Sequence, residues 1–495
     1  MKLKRFATGP MLLLVAALAA CAASFDEQSA HAAPAPNAWP PAWQDATTAL
    51  AAGFTPPQFE PPSANHCQRA PTTREVPGRS AQENDAAWHL RKDSGDKLRA
   101  AEETVASSAG RAAPKAAAPA AARAEIDRRT LLSGDAVAPA PQAPVPVDAV
   151  VTAGVVDDNA DFGAYLAYRQ RNTRQAVRER DVSERYLLEV LDANGRPVHD
   201  AEVAVQRAGV AEPVMWARTD TAGHVWLHPR AFVASTFATE PVLGVALRKG
   251  GVQARATLQR GQSNALQVRL AAASNVQRPR LDLVFMIDAT GSMGDEIDKL
   301  KRSMRAMAEQ IAQLPGQPDI CYGLVAYRDR GDAFITRTHD FTNDLGGFQA
   351  LLAKVQAQGG GDTPEALNEA LHEVVHGLAW RSDAARLVVM VADAPPQLDY
   401  GGPQYDTDMQ AALAKGIKLF AVGASGLDPV GQYVFRQLAQ YTAGRFVFLT
   451  YKNAVDPASG PGRQTVHDVK NYSVQTLDRL VVRLVSEEMA RLARS

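Results

Sequence analysis

Cysteine is scarce in this chain, three in 495 residues. Cys67 falls in a stretch that reads as linker and Cys321 inside a predicted strand, where a buried thiol is ordinarily inert core, so a disulfide between them is not expected. Charge of one sign is lacking too. Lysine and arginine number 53 against 54 aspartates and glutamates, a net charge of −1, and this absence of a basic field argues against nucleic acid as a partner. The apolar stretch 11–20 is too short for a spanning helix. No phosphate loop and no metal-ligand histidine pair stands out. What is present in quantity is length: 495 residues predict two or more folded units plus linker.

Lys2, Lys4 and Arg5 precede the apolar stretch, which ends Leu18-Ala19-Ala20-Cys21. That ending resembles the lipobox of bacterial lipoproteins. The resemblance implies a signal peptide over 1–20, a lipid-modified Cys21 and a stable membrane anchor. Ala22 stands where aspartate would imply inner-membrane retention, so a lipid-anchored protein of the cell envelope, at the outer membrane, is expected. Residues 21–148 contain "AAPAPNAWPPAW", "AAPKAAAPAAARAE" and "APAPQAPVPV". Such Ala/Pro-rich sequence buries too little surface to offset chain entropy and reads as a disordered tether with a reach of roughly 60 Å.

Residues 149–181 read as a helical connector. Asp157, Asp158, Asn159 and Asp161 have the spacing of a calcium loop, but Phe162 stands where that loop needs glycine and Tyr168 where it needs glutamate, so a solvated acidic turn is expected. Over 182–270, alternating apolar residues around Asn194-Gly195 and "TDTAGHVWL" predict a small antiparallel β-sandwich. "DANGRPVHDAEVAV" and the strand pair after it resemble the carboxypeptidase-regulatory or transthyretin-like modules of exported bacterial proteins, which implies a spacer or docking role.

From about residue 280 to 452 strands and helices alternate. "LDLVFMID" is a continuous apolar strand, and Ile297, Leu300, Met304, Met307, Ile311 and Leu314 form one helical stripe. The repeated βα order predicts an α/β fold, a doubly wound and mostly parallel sheet, with its ligand site at the carboxyl ends of the strands. Residues 453–495 read as a loop and a C-terminal helix whose leucines pack on the chain itself.

Three polar clusters fall at that edge: Asp288, Thr290 and Ser292 in "FMIDATGSMGDE", Asp362 and Thr363 in "GGGDTPEA", and Asp393 after "LVVMVAD". Oxygen donors without cysteine or histidine suit a hard cation, Mg2+ or Mn2+. Taken singly, Ser292 to Asp295 and Asp362 to Glu365 also read as helix capping boxes. The combination resembles the von Willebrand factor A domain and its metal-ion-dependent adhesion site, with Asp-x-Ser-x-Ser written here as Asp288-x-Thr290-x-Ser292. The resemblance implies metal ligation by Asp288, Thr290, Ser292, Thr363 and Asp393, with Asp362 and Asp329 at the border of the site. It further implies a protein partner whose acidic side chain completes the coordination, and no enzymatic activity.

Two other readings compete. An envelope scaffold would use the ion only to stabilise its loops. A serine hydrolase would use Ser292 near a G-x-S-x-G-like turn, with Asp393 and His467 in triad order, although Thr290 replaces the first glycine. The tripeptide from Arg330 to Asp332, "RGD", reads as a turn or loop salt bridge.

Overall fold

The run from Leu281 to Ile287 has the continuous apolar character of a strand covered on both faces, and it lies at the centre of a ten-stranded sheet. The structure, a computed structural model, describes residues 67, 69–78, 150–210, 212–232, 240–262, 265–272, 278–361 and 363–494. The expected signal peptide, Cys21 and most of the expected tether lie outside the described residues, as does Asp362.

Strands β1 (Thr73–Pro77) and β2 (Thr152–Val156) come first, followed by helix α1 (Phe162–Arg171). The next unit holds β3 (Tyr186–Leu191), β4 (Glu202–Arg207), β5 (Met215–Arg218), β6 (His224–Leu227), β7 (Val242–Lys249), β8 (Val252–Gln259) and β9 (Ala265–Arg269). The alternating part opens with β10 (Arg280–Asp288), α2 (Ile297–Ala312), β11 (Asp319–Tyr327), β12 (Phe334–Thr342), α3 (Leu345–Ala353) and α4 (Leu367–His372). It continues with β13 (Ala384–Ala392), α5 (Tyr405–Ala414), β14 (Ile417–Gly423), α6 (Pro429–Tyr441) and β15 (Arg445–Asn453). Strands β16 (Asp456–Pro461) and β17 (Val474–Thr476) and helix α7 (Leu477–Leu492) end the chain.

The large sheet runs β1-β12-β11-β10-β13-β14-β15-β2-β17, with β16 on β15. Strands β11, β10, β13, β14 and β15 are parallel, so their carboxyl ends share one edge. Because β10 and β13 are neighbours in register, with Ile287 opposite Val391, the loops that follow them emerge side by side. The predicted stripe of α2 is buried, and it meets Leu283, Phe285 and Ile287 of β10 on one face of the sheet. Helix α7 buries Leu480, Val481, Leu484 and Val485 in the same core. Val284 and Met286 point to the other face, where α4, α5 and α6 pack.

Strand β1 lies inside the expected tether, yet it pairs antiparallel with β12 at the sheet edge. All five of its residues are exposed, so it is held by its backbone ladder and by polar pairs such as Glu75 with Arg337 and Arg74 with Glu373. Composition carries no sign of such a strand. Cys67 and Cys321 form a disulfide across 254 residues, contrary to expectation, and it fastens this segment to β11.

The expected helical connector contains β2, which inserts between β15 and β17. Gly154 makes that insertion feasible, since a Cβ there would lie 2.5 Å from the Phe448 ring. Only 162–171 of the connector is helical. The acidic turn before it is not wholly solvated: Asp158 is buried against Arg436, and Asp161 caps α1.

The two small sheets, β6-β3-β9 and β5-β4-β7-β8, form the unit predicted as a sandwich, with β3 and β9 paired parallel. This unit packs on the amino ends of the main strands. Asp200 accepts from Arg386 Nη1 at 2.9 Å, and Lys418 reaches Asp220 at 3.2 Å. Arg386 and Lys418 lie near the starts of β13 and β14, so the contact is at the end of the sheet opposite the predicted ligand edge.

Candidate functional site

Asp288 ends β10 and is fully buried. Its Oδ1 accepts from the Thr290 backbone N–H at 3.0 Å and from the Thr290 hydroxyl at 2.7 Å, an Asx-type turn that reverses the chain. Thr290 Oγ1 lies 3.0 Å from Ser292 Oγ, and Ser292 donates to Asp393 Oδ1 at 3.1 Å. Tyr327, at the end of β11, donates to Asp288 Oδ2 at 3.3 Å. Four residues named from sequence therefore form one chain of oxygens across two loops.

The glycine loop ahead of α4 closes over this turn. Gly291 N–H donates to the Gly359 carbonyl at 2.9 Å. Gly359 has a positive φ of 76°, and a Cβ there would fall 2.1 Å from the Asp332 carboxylate, so only glycine fits. Asp332 in turn accepts from Gly360 N–H at 2.8 Å.

Thr363 stands on the next stretch of this loop, which is stitched to the Asp393 loop by Glu365 N–H on the Pro395 carbonyl at 3.0 Å and Gln397 N–H on the Glu365 carbonyl at 2.9 Å. Its side chain is exposed and, among the described residues, makes no hydrogen bond to the other four. Asp329, expected at the border of the site, is buried and accepts the Tyr400 hydroxyl at 2.6 Å, and its charge acts on Glu365. Arg330 bonds the Tyr400 carbonyl and Glu369. The "RGD" tripeptide is thus a tied internal turn, as expected.

The capping alternative does not hold in this geometry. The N-cap of α2 is Glu296 and that of α4 is Ala366, and neither helix has a side-chain cap bond. Glu365, read as a capping residue, is instead buried beside the cluster with Oε2 unpartnered. Burial, and then the charges of Asp288, Asp329, Asp332 and Asp393, push its carboxyl up to about 9. Burial raises Asp288 as well, with Asp393 adding to it, and burial raises Asp393. Among the described residues no lysine or arginine pairs with Asp288, Asp393 or Glu365. Sequence patterning missed Glu365 and Tyr327 because each has a simpler local reading, as a cap and as strand core. His467 packs its ring edge-on against Phe446 and Phe448, and no hydrogen bond joins it to Ser292 or Asp393.

Residues 282–456 match the family model of the von Willebrand factor type A domain, so the chain carries such a domain. A Dictyostelium discoideum protein named alpha-protein kinase vwkA is 30% identical over 117 residues, 23% of this chain and 18% of that protein. The von Willebrand factor A domain-containing protein 7 of Rattus norvegicus is 38% identical over 93 residues, 19% of this chain and 10% of that protein. The chain thus spans less than a fifth of either relative. The conserved hypothetical protein BatB from Bacteroides thetaiotaomicron, a solved structure, aligns over 43% of this chain and 100% of its own, with 14% identity and a TM-score of 0.30. Domains of this type commonly bind other proteins.

Proposed function

We propose that the strand-end cluster holds a divalent ion of the Mg2+ or Mn2+ class and that the domain binds an acidic group of a protein partner through it. The observation that carries this reading is the oxygen chain itself. If Thr290 gives its proton to Asp288 and Ser292 gives its own to Asp393, no proton remains for the 3.0 Å contact between the two hydroxyls. Lone pairs then face each other amid buried carboxylates. A proton on one carboxyl relieves this, and so does a cation among the oxygens; burial raises the carboxyls of Asp288 and Asp393, and at Asp288 the charge of Asp393 adds to it.

Asp288, Thr290, Ser292, Thr363 and Asp393 would supply the ligands, all hard oxygens, with Thr363 turning inward from its exposed loop. When bound, such an ion supplies a positive charge with an open coordination position for a carboxylate. Glu365, whose carboxyl burial and the neighbouring carboxylates push up, lies beside the shell, while Tyr327 orients Asp288. We read the module as non-enzymatic, because Ser292 is engaged with Asp393 and has no histidine base. The Cys67–Cys321 disulfide favours an oxidising compartment, in keeping with an exported, lipid-anchored protein of the cell envelope at the outer membrane. The small-sheet unit serves in this reading as a transthyretin-like support that holds the binding edge outward.

The test is thermal unfolding of the full chain in chelator and then in Mg2+, alongside Asp288→Ala and Asp393→Ala. At tenfold the dissociation constant the ion should add about 1.4 kcal/mol, a rise of a few °C, in the wild type only. An equal response of wild type and variants would remove the metal reading.

A further inference from the structure

A second group of metal-type donors lies away from the strand ends. His372 closes α4 and His376 follows one turn later, in a π-helical turn over Glu373–Gly377. Residues four apart share a helix face, so the two imidazoles stack with their centroids 4.5 Å apart. Both rings are directed at Asp408 on the neighbouring helix α5. His372 Nδ1 lies 3.2 Å from Asp408 Oδ1, and His376 Nε2 lies 3.0 Å from the same oxygen. The three donor atoms all fall within 4.8 Å of one another.

We infer that His372, His376 and Asp408 form a binding site for a borderline transition ion, Zn2+ foremost, separate from the strand-end cluster. Donor type is the first reason. Two imidazoles and one carboxylate suit zinc, whereas the all-oxygen cluster suits magnesium. Spacing is the second: metal–ligand bonds of about 2.0–2.1 Å place neighbouring ligands roughly 2.9 Å apart in octahedral and roughly 3.3 Å apart in tetrahedral geometry. The two N···O distances fall within that interval.

Charge is the third reason. The Asp408 side chain is 3% exposed, and among the described residues its ion-pair partners are these two histidines. Asp406, two residues earlier, is also buried but takes both Arg178 and Arg180. The direct partners of this buried carboxylate are imidazoles, and a divalent ion would supply a full counter-charge at the carboxylate itself, with the Lys415 ammonium acting on His376 from nearby. The histidine side chains are 47% and 38% exposed, so an ion can enter from solvent and keep coordination positions open. His376 also lines a cleft of about 320 Å³ with Trp216 and Arg218 of the small-sheet unit and Lys415 of the main domain. A ligand on the open positions would therefore sit between the two units. The helix widens by a residue at this point, and such π-turns recur at functional sites.

The full chain, stripped with chelator and held in excess Mg2+ to occupy hard-cation sites, is titrated with Zn2+ by calorimetry and with Co2+ by visible absorption. The wild type is expected to take up one equivalent tightly. His372→Ala and His376→Ala should each bind at least about 100-fold more weakly and lose the cobalt band, since even supporting groups of a zinc site are worth 10–100-fold. Asp288→Ala should retain both signals, which separates this site from the strand-end reading. Loss of either ring leaves Asp408 its other histidine, so the variants should stay folded in chelator with a lowered melting point, and His372→Gln, which keeps a side-chain donor, provides a milder second variant. Absence of a tight equivalent in the wild type would overturn the inference. Undiminished uptake by the histidine variants would mark the binding as adventitious and overturn it as well.

Discussion

The joint with the small sheets and the carboxyl-end cluster treat buried carboxylates in opposite ways, while Asp282 at the start of β10 stands between them, paired with Arg381 yet still raised by burial. At the amino ends, burial pushes the Asp200 carboxyl up, but Arg386 and Arg218 outweigh burial and hold it well below the usual carboxylate range. Asp220 behaves likewise, with Lys418 and His224 opposing burial. At the carboxyl ends, Asp288, Asp393 and Glu365 are buried together without a cation, and all three are raised. At the joint with the small sheets, the charges of Asp200 and Asp220 are met within the chain. At the other, three carboxylates are buried together with no lysine or arginine paired to them among the described residues, and such clusters are enriched at functional sites.

Breaking the completed end should have the largest effect. Asp200→Asn takes from buried Arg386 its paired carboxylate and leaves Arg218 only Glu202, a loss of about 3–5 kcal/mol read from the denaturant midpoint. The sign of its pH dependence follows from the depressed folded-state value. The stabilisation is fully present above the unfolded carboxyl value of about 3.9 and is lost as pH falls through the lower folded value. The gap between wild type and Asp200→Asn should accordingly begin to narrow as pH drops below about 4 and close only far below that, at the depressed folded value.

Next in size is the covalent link in the first half of β11. Cys67→Ser should cost about 2–4 kcal/mol, and reductant should bring the wild type to the same midpoint. The open end should respond with the reverse sign. In chelator, Asp288→Asn is expected to leave stability unchanged or raise it by up to about 1 kcal/mol, because it removes charge from a crowded buried cluster. The same variant should lose the magnesium response of about 1.4 kcal/mol at tenfold the dissociation constant. A clear loss of stability for Asp288→Asn in chelator would contradict the contrast between the ends. Smallest of all, Thr363→Ala should not move the chelator melt, since its side chain is exposed, and should weaken the magnesium midpoint by less than about tenfold.

Much of the main domain was legible because its signals are local. Continuous apolar strands and the 3.6-residue stripe of α2 specify elements that bury themselves where the pattern says. The parallel order followed from βα alternation, and with it the shared edge that brings Asp288 and Asp393 together. The illegible parts have no local signature. Strand β1 is wholly exposed and is held by partners more than 250 positions away, among them His339 and Arg337. Strand β2 is five small residues whose place depends on Phe448 and Tyr472 leaving room at Gly154. His372 and His376 stand four apart in plain view, yet two histidines on a helix acquire metal character only when a third ligand arrives, and Asp408 comes from another helix.

By itself the amino-acid sequence determined the alternating elements of the main domain, their order and the residue types available at the strand ends, because these depend on periodicity and on short-range turn chemistry, whereas β1 and β2 do not. Tertiary structure alone decided which charges would meet. It put Arg386 against Asp200 and no cation against Asp288, joined Cys67 to Cys321, and turned Glu365 from a helix cap into a buried acid. Pairing energies of that kind depend on distance and burial in space, and neither is encoded in the separation of residues along the chain.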